Sequence, residues 1–275
     1  RSHGGAIYSY RSAFTGANIS LFGNSARYNG GAIFTDRSEI TLTNLTAAYN
    51  QGKYGGVFYN DTTTVTLTNA TFYTNLATVD GGAIFNDAAP STIDHLTAVD
   101  NHAEHYGGAI YSILDTPTVR NSILWGNTAE KGAVIIGTAA FVDTIVEGGC
   151  PVGVSCTRVR TVDPALGVFG NHGGSANTIP LLTGSPAIDH VTAFCPATDA
   201  RGVARPQGTA CDMGAYESRG LALTVVSGDN QVIEVYQPYG APLVVSATSI
   251  EGHAVDGAVA TFASPLTGAG TAPVS

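Results

Sequence analysis

Between Asp80 and His105 the chain concentrates groups able to carry protons: Asp80, Asp94, His95, Asp100, His102, Glu104 and His105. Two carboxylates facing each other hydrolyse glycosidic bonds, one as acid and the other as base or nucleophile, and imidazoles exchange protons near neutral pH. Asp100, His102 and His105 are the candidates that such chemistry would use. Elimination from an acidic polysaccharide needs a strong base as well, commonly Lys or Arg, often with calcium. The chain has two lysines, Lys53 and Lys131, both in turns beside glycines, so the base is hard to find. A plainer reading, which we favour, is a solvated turn face whose polar groups point in several directions. No phosphate-binding glycine loop, nucleophile elbow or zinc-protease helix is present.

Whether those groups converge depends on the elements that carry them, and here the chain is periodic. HGGAIY, NGGAIF, YGGVFY, DGGAIF and YGGAIY place glycine pairs at Gly4 and Gly5, Gly30 and Gly31, Gly55 and Gly56, Gly81 and Gly82, and Gly107 and Gly108. The first glycines are separated by 26, 25, 26 and 26 residues, and a decayed copy, KGAVII, follows at Lys131. Asn24, Asn50, Asn75, Asn101 and Asn127 keep the same period. Between them run short segments with apolar residues at every second position, such as EITLTNLT and TVTLTNAT. That alternation belongs to strands, and no helix-length 3.6-residue pattern occurs over residues 1–147.

Three short strands in a repeat near 25 residues suit one coil of a right-handed parallel β-helix, each coil stacked about 4.8 Å above the last. Equivalent residues then lie over one another. Ile7, Ile33, Ile84 and Ile110 form an aliphatic column interrupted by Phe58, and Tyr8, Phe34, Tyr59, Phe85 and Tyr111 an aromatic one. The asparagines form a ladder of amides, and the glycine pairs mark a turn needing positive φ or close approach between coils.

The GGAI motif with its hydrophobic-x-x-Asn partner, as in Phe72 to Asn75 or Leu124 to Asn127, resembles the repeat of polymorphic outer-membrane proteins and related bacterial surface β-helices. The resemblance covers residues 1–147 and implies a bacterial cell-surface location. Beyond it, VDPALG, SPAID, D-x-R-G-x-x-R-P from Asp199 and CDMGAYE from Cys211 resemble the end of proteins with a choice-of-anchor Q domain, which terminates a β-helix ahead of an attachment module. From Leu221, VVSGDNQ, PLVVSAT and the element from Asp256 to Phe262 resemble part of a bacterial immunoglobulin-like domain. A sandwich missing its last strands would be completed by continuation of the chain or by a neighbouring copy, the latter giving a filament.

Read from the residues alone, segment 148–220 is a loop-rich cap over the open end of the solenoid, with Pro164, Pro180, Pro186 and Pro206 preventing a further edge. Arg201, Arg205, Asp212 and Glu217 form ion pairs within it, the rival role being an anion or sugar site. All four cysteines, Cys150, Cys156, Cys195 and Cys211, lie here. An even count in a loop-rich, exported segment favours disulfides; local pairing is the simplest of three connectivities, and the spacings lack the C-x-x-C of a zinc knuckle.

Composition narrows the function classes. Charged residues are 12% of 275, and 21 acidic against 12 basic residues give a net charge of −9. That opposes binding to phosphate backbones, so nucleic acid is not an expected partner. No run of apolar residues is long enough to span a membrane as a helix. Opening within a repeat and without Met, the chain reads as a piece of something longer. N-x-S/T at Asn18, Asn44, Asn60 and Asn69 reads as a by-product of composition.

These readings combine into an all-β chain: parallel β-helix over 1–147, disulfide-containing cap over 148–220, immunoglobulin-like β-sandwich fragment over 221–275. The expected function is an extracellular bacterial surface stalk or adhesin, not an enzyme, meeting a glycan, a protein surface or copies of itself. A polysaccharide lyase or hydrolase, or a glycan-binding module, using the β-helix flank is the alternative. No metal or other cofactor is expected; structural calcium is compatible with the residues but not indicated by them.

Overall fold

The computed structural model describes residues 3–191, 193–228, 231 and 240–249. It divides into two compact units, Arg1–Ser218 and Arg219–Ser275. Every regular element among the described residues is a strand.

The first unit is a right-handed parallel β-solenoid. Its first sheet stacks Ile7–Tyr10, Ile33–Asp36, Phe58–Asp61, Ile84–Asp87, Ile110–Ile113 and Ile135–Gly137 in parallel. The second sheet is built on long strands, Ala13–Phe22, Glu39–Ala48, Thr64–Tyr73 and Ser91–Val99, continued by shorter ones. The third contains Gln51–Tyr54, Leu76–Asp80 and His102–Ala103.

Register follows the sequence period. Ile7, Ile33, Phe58, Ile84, Ile110 and Ile135 pair in succession, as do Leu21, Ala47, Phe72, Ala98, Leu124 and Val146 on the facing sheet. Between them these two columns supply much of the buried core. Volumes compensate along and across the stack: Phe72 lies between Ala47 and Ala98, and its ring meets Phe58 at 5.9 Å. On the outer side of the first sheet, Tyr8, Phe34, Tyr59, Phe85 and Tyr111 stack with ring centroids 5.1, 5.6, 4.8 and 4.9 Å apart.

Each coil turns its corners through single residues in the left-handed region. The four corner columns are Gly4, Gly30, Gly55, Gly81 and Gly107; Arg11, Arg37, Thr62, Ala88 and Leu114; Asn18, Asn44, Asn69, His95 and Asn121; and Gly23, Tyr49, Thr74, Asp100 and Gly126. Most corners tolerate side chains, so the glycine pair needs its own explanation, and its two members differ. At Gly55, φ is +71° and a Cβ would lie 1.8 Å from the Phe58 carbonyl oxygen. At Gly82 no positive φ is involved; a Cβ there would lie 2.0 Å from the Gly108 carbonyl oxygen of the next coil. The first glycine permits the turn and the second permits stacking.

Two expectations are corrected. The solenoid runs past residue 147, because Val154–Thr157 pairs in parallel with Ala139–Val142. The Cys150–Cys156 disulfide, Cα atoms 6.0 Å apart, therefore belongs to this last coil. Nor does the loop-rich segment simply close the end of the stack. It packs along the flank, over the outward residues of the second sheet from the first coils to the last. Thr46 Oγ1 donates to the Asn177 carbonyl (2.7 Å), Asn69 Nδ2 to the Thr198 carbonyl (2.9 Å), and Thr97 Oγ1 accepts from the Ala215 amide (3.0 Å). Phe169 stacks on Tyr73 at 4.6 Å, and Ile123 and Ile145 pack with Leu181, Ala187, Val191, Met213 and Tyr216. The reason is the outward column Thr46, Thr71, Thr97, Ile123 and Ile145, which is uncharged and fully covered. Leaving that strip in water would expose β-branched surface over several coils. The Cys195–Cys211 disulfide, Cα atoms 6.2 Å apart, fastens this segment to itself.

In the second unit the described strands are Leu221–Ser227 and Val244–Ser249, an antiparallel pair. The element from Asp256 to Phe262, and with it most of the expected immunoglobulin-like sandwich and any strand donation, lies outside the described residues.

Candidate functional site

The proton-carrying residues between Asp80 and His105 ride on successive stations around the coils, and the structure separates them. Asp94 and His95 occupy the bend of the second sheet, beneath the flank segment. Arg120 Nη2 and Asn121 Nδ2 both donate to the Asp94 carboxylate, the latter at 3.1 Å. Burial nevertheless raises Asp94, outweighing Arg120 and Asn121. The Arg120 guanidinium stacks 3.6 Å from the Phe194 ring centroid, locking the flank segment down.

Asp100 stands in the next corner, exposed, with φ +56°. His102 is exposed, its Nδ1 2.8 Å from Thr128 Oγ1. Glu104 and His105 are exposed beside the following glycine turn, where Asp80 Oδ1 accepts from the Tyr106 amide at 3.2 Å. Burial raises Asp80, against the opposing pull of that amide and of His105. Asp100, His102 and His105 thus engage different residues of neighbouring coils. The carboxylate that does approach Asp100 is Glu147, absent from the sequence-based set. Glu147 Oε2 accepts from the Gly126 amide at 2.7 Å, and a Cβ on Gly126 would lie 2.3 Å from Asp100 Oδ1. Partial burial and then the Glu147 charge raise Asp100. Among the described residues no three His, Cys, Asp or Glu side chains are grouped to hold a metal ion.

The asparagines do hold a continuous amide chain. Asn24, Asn50, Asn75 and Asn101 each donate Nδ2 to the Oδ1 of the next asparagine, at 2.9, 2.9, 2.8 and 2.9 Å, ending at Asn127. Each Oδ1 also takes the backbone N–H of the asparagine before it. A second donation from each of Asn50, Asn75, Asn101 and Asn127 reaches the carbonyl of Leu21, Ala47, Phe72 and Ala98 respectively. The interior amides are buried with both ends satisfied.

A second ladder escaped the sequence reading. Asn44 Nδ2 donates to Asn18 Oδ1 (3.0 Å) and Asn69 Nδ2 to Asn44 Oδ1 (3.1 Å). The signal was present in the N-x-S/T sites, three of which keep the coil period. These corners take Asn because it accepts left-handed φ. Asn60 belongs to a third, inward row: it accepts from Thr35 Oγ1 at 3.0 Å and donates to Asn86 Oδ1 at 2.7 Å. His95 breaks the second ladder. Its side chain is 0% exposed, with Asp94 Oδ1 3.8 Å from Nδ1, and among the described residues neither ring nitrogen has a hydrogen bond, nor has Asn69 Oδ1 at the equivalent corner of the preceding coil. Burial, then Arg205 and Arg120, push the imidazole well below its ordinary range, so the ring is neutral.

In the flank segment, Arg205 Nη1 pairs with Glu217 Oε2 at 3.0 Å, both side chains 0% exposed. Arg201 is paired with Asp199 (2.7 Å), a residue the sequence reading left out, and stacks 3.5 Å from the Tyr216 ring centroid. The Asp212 carboxylate is held by amides instead: Asp189 N–H at 2.8 Å and Ser218 N–H at 2.6 Å. Three acids thus share two guanidinium groups. Burial first, and then Glu217, push Asp212 up to about 7. Arg201 and Arg205 are nearly fully buried and turned inward, onto carbonyls and carboxylates of their own segment.

With this geometry in view, one comparison is informative. A family model described as the Chlamydia polymorphic membrane protein repeat matches residues 18–36. That stretch runs from the corner Asn18 through Asn24 of the amide chain to the glycine pair and Phe34. The fold is a parallel β-solenoid, weakly linked to these repeats. No curated protein and no solved structure matches the chain. Among the described residues no helix is long and apolar enough to cross a membrane.

Proposed function

We propose that the chain works at the bacterial cell surface as a stalk or adhesin, without catalysis and without a cofactor, and that its partners are a glycan, a protein surface or neighbouring copies. The observation that carries this reading is the repeat match at residues 18–36 within an uninterrupted parallel solenoid. Two disulfides, one in the last coil and one in the flank segment, support an oxidising, extracytoplasmic compartment. The resemblance of segment 148–220 to a choice-of-anchor Q region supports surface attachment. Fractionation of the source cells, with protease shaving of intact cells, tests the reading: shaving should release peptides of this chain. Recovery of the native protein only from the soluble cytoplasm would refute it.

Polysaccharide cleavage remains the second reading, because Asp100 and Glu147 bring two carboxylates to one exposed corner. A screen of acidic and neutral glycans, with and without calcium, distinguishes the two. Turnover abolished by Asp100→Ala would replace the first reading with the second.

A further inference from the structure

A cleft of about 310 Å³ opens where the last solenoid coil meets the flank segment, lined by Asp143, Arg158, Val159, Arg160, His190 and Met213. The groups in it are unequally committed. Arg158 spends Nε and Nη2 on the two oxygens of Asp143, at 2.5 and 2.6 Å, so that pair presents little net charge. Arg160 differs. Its backbone is clamped into the stack, donating to the Thr144 carbonyl at 2.9 Å and accepting from the Val146 amide at 2.8 Å. Its guanidinium makes no hydrogen bond, ion pair or ring contact with any described residue, in a chain of net charge −9. His190 Nδ1 lies 2.6 Å from the Ile188 carbonyl, which can only accept, so Nδ1 carries the proton and in that tautomer Nε2 is an acceptor. Val159 and buried Met213 supply apolar surface.

We propose that this cleft binds a single acidic sugar residue. The volume lies at the small end of ligand sites and suits one pyranose ring. The guanidinium of Arg160, unpaired among the described residues and carried on a clamped backbone, takes the carboxylate in a bidentate pair. His190 Nε2 accepts from a ring hydroxyl, a contact that a fully ionised phosphate could not supply. Met213 and Val159 cover the C–H face of the sugar. The inference rests on the adhesin reading only for its biological setting, since it names the ligand class that such an adhesin would recognise.

Met213 is the chain's single methionine, so a ¹³C-methyl-methionine label gives one NMR resonance inside the cleft. Titration with methyl glucuronide should move that resonance saturably. Methyl glucoside and acetate should each bind at least about tenfold more weakly, the former lacking the carboxylate and the latter the ring. Arg160→Gln, at an exposed side chain, should weaken the glucuronide about tenfold and leave the glucoside unchanged. Equal response to glucuronide and glucoside, an unaltered Arg160→Gln variant, or acetate binding as tightly as the glucuronide would overturn the proposal. Surface shaving separates the two claims. A shaved, surface-exposed protein that ignores glucuronide keeps the adhesin reading and loses the cleft; a cytoplasmic protein that binds it does the reverse.

Discussion

Removal of one amide from the interior of the asparagine chain should cost several times more than removal of the same amide at its end. Asn75 donates to Asn101 Oδ1 (2.8 Å) and the Ala47 carbonyl (2.9 Å), and accepts from Asn50 N (3.0 Å) and Nδ2 (2.9 Å). Asn75→Ala removes four hydrogen bonds and leaves their partners short of water. At about 1 kcal/mol net for each, the loss is roughly 4 kcal/mol, and more where a partner is left wholly unsatisfied. Asn24→Ala removes the donation to Asn50 Oδ1 (2.9 Å) from a half-buried side chain and should cost less than about 1 kcal/mol. Asn75→Asp adds a signature of its own. The carboxylate still accepts from Asn50 but turns an acceptor toward the Ala47 carbonyl and Asn101 Oδ1. Its folded pKa must then rise above the unfolded value of about 3.9. A raised acid contributes stability that is present below the unfolded pKa and lost as pH rises through the folded pKa, so this variant should fall behind wild type between about pH 4 and pH 8. Urea unfolding followed by Trp125, the chain's single tryptophan, measures all three. Equal costs for Asn75→Ala and Asn24→Ala, or an Asn75→Asp variant indifferent to pH, would refute the reasoning.

The same assay reaches the other corners. Gly82→Ala should destabilise by about 3 kcal/mol or more through its clash with Gly108, whereas Gly23→Ala, with open space around its Cβ and Tyr49, Thr74 and Asp100 at equivalent corners, should cost about 1 kcal/mol. His95→Asn should stabilise by about 1 kcal/mol at neutral pH by giving Asn69 Oδ1 its missing donor. Because the folded pKa of His95 is lowered, the wild type should lose stability as pH falls below the unfolded value of about 6.5, and the variant should not share that loss; a variant with unchanged acid sensitivity would count against the assignment. Carboxyl ¹³C NMR should find Asp212 titrating at about 7, so its contribution to stability is present below the unfolded carboxyl pKa and lost as pH rises through about 7; an ordinary carboxylate midpoint would show that the two arginines compensate all three acids.

Much of the solenoid was legible because stacking makes sequence period and spatial register the same quantity. Spacing of 25 or 26 residues brought Ile33 under Phe58 and Phe34 under Tyr59 without any knowledge of the coil's shape. Legibility failed where a residue's role depends on something outside its own column. Thr46, Thr71 and Thr97 occupy outward strand positions that normally meet water, and their burial is due to a segment more than a hundred residues away. The Pro- and Gly-rich text that reads as an end cap is in fact the cover for that strip. Asp199 was missed for a local reason: its carboxylate closes back on Arg201 two residues later, through both the backbone N–H and Nε at 2.8 Å, and no periodic pattern marks such a loop.

The candidate catalytic residues show the same division. A cluster in sequence becomes a cluster in space only if its members share a corner, and a coil of 26 residues with four left-handed corners turns neighbours in sequence to different sides. Asp94 and Asp100 are six residues apart, yet one is buried against Arg120 and the other exposed beside Glu147, a residue forty-seven positions beyond it in the chain. In a solenoid, chemistry accumulates between coils, at separations near multiples of the period, or at the seam where a different segment lies against the stack. The Arg160 cleft is of the second kind: Arg158 and Arg160 come from the last coil, His190 and Met213 from the flank segment. No dense run of ionisable residues marks it, because no two of its contributors from opposite sides are close in sequence.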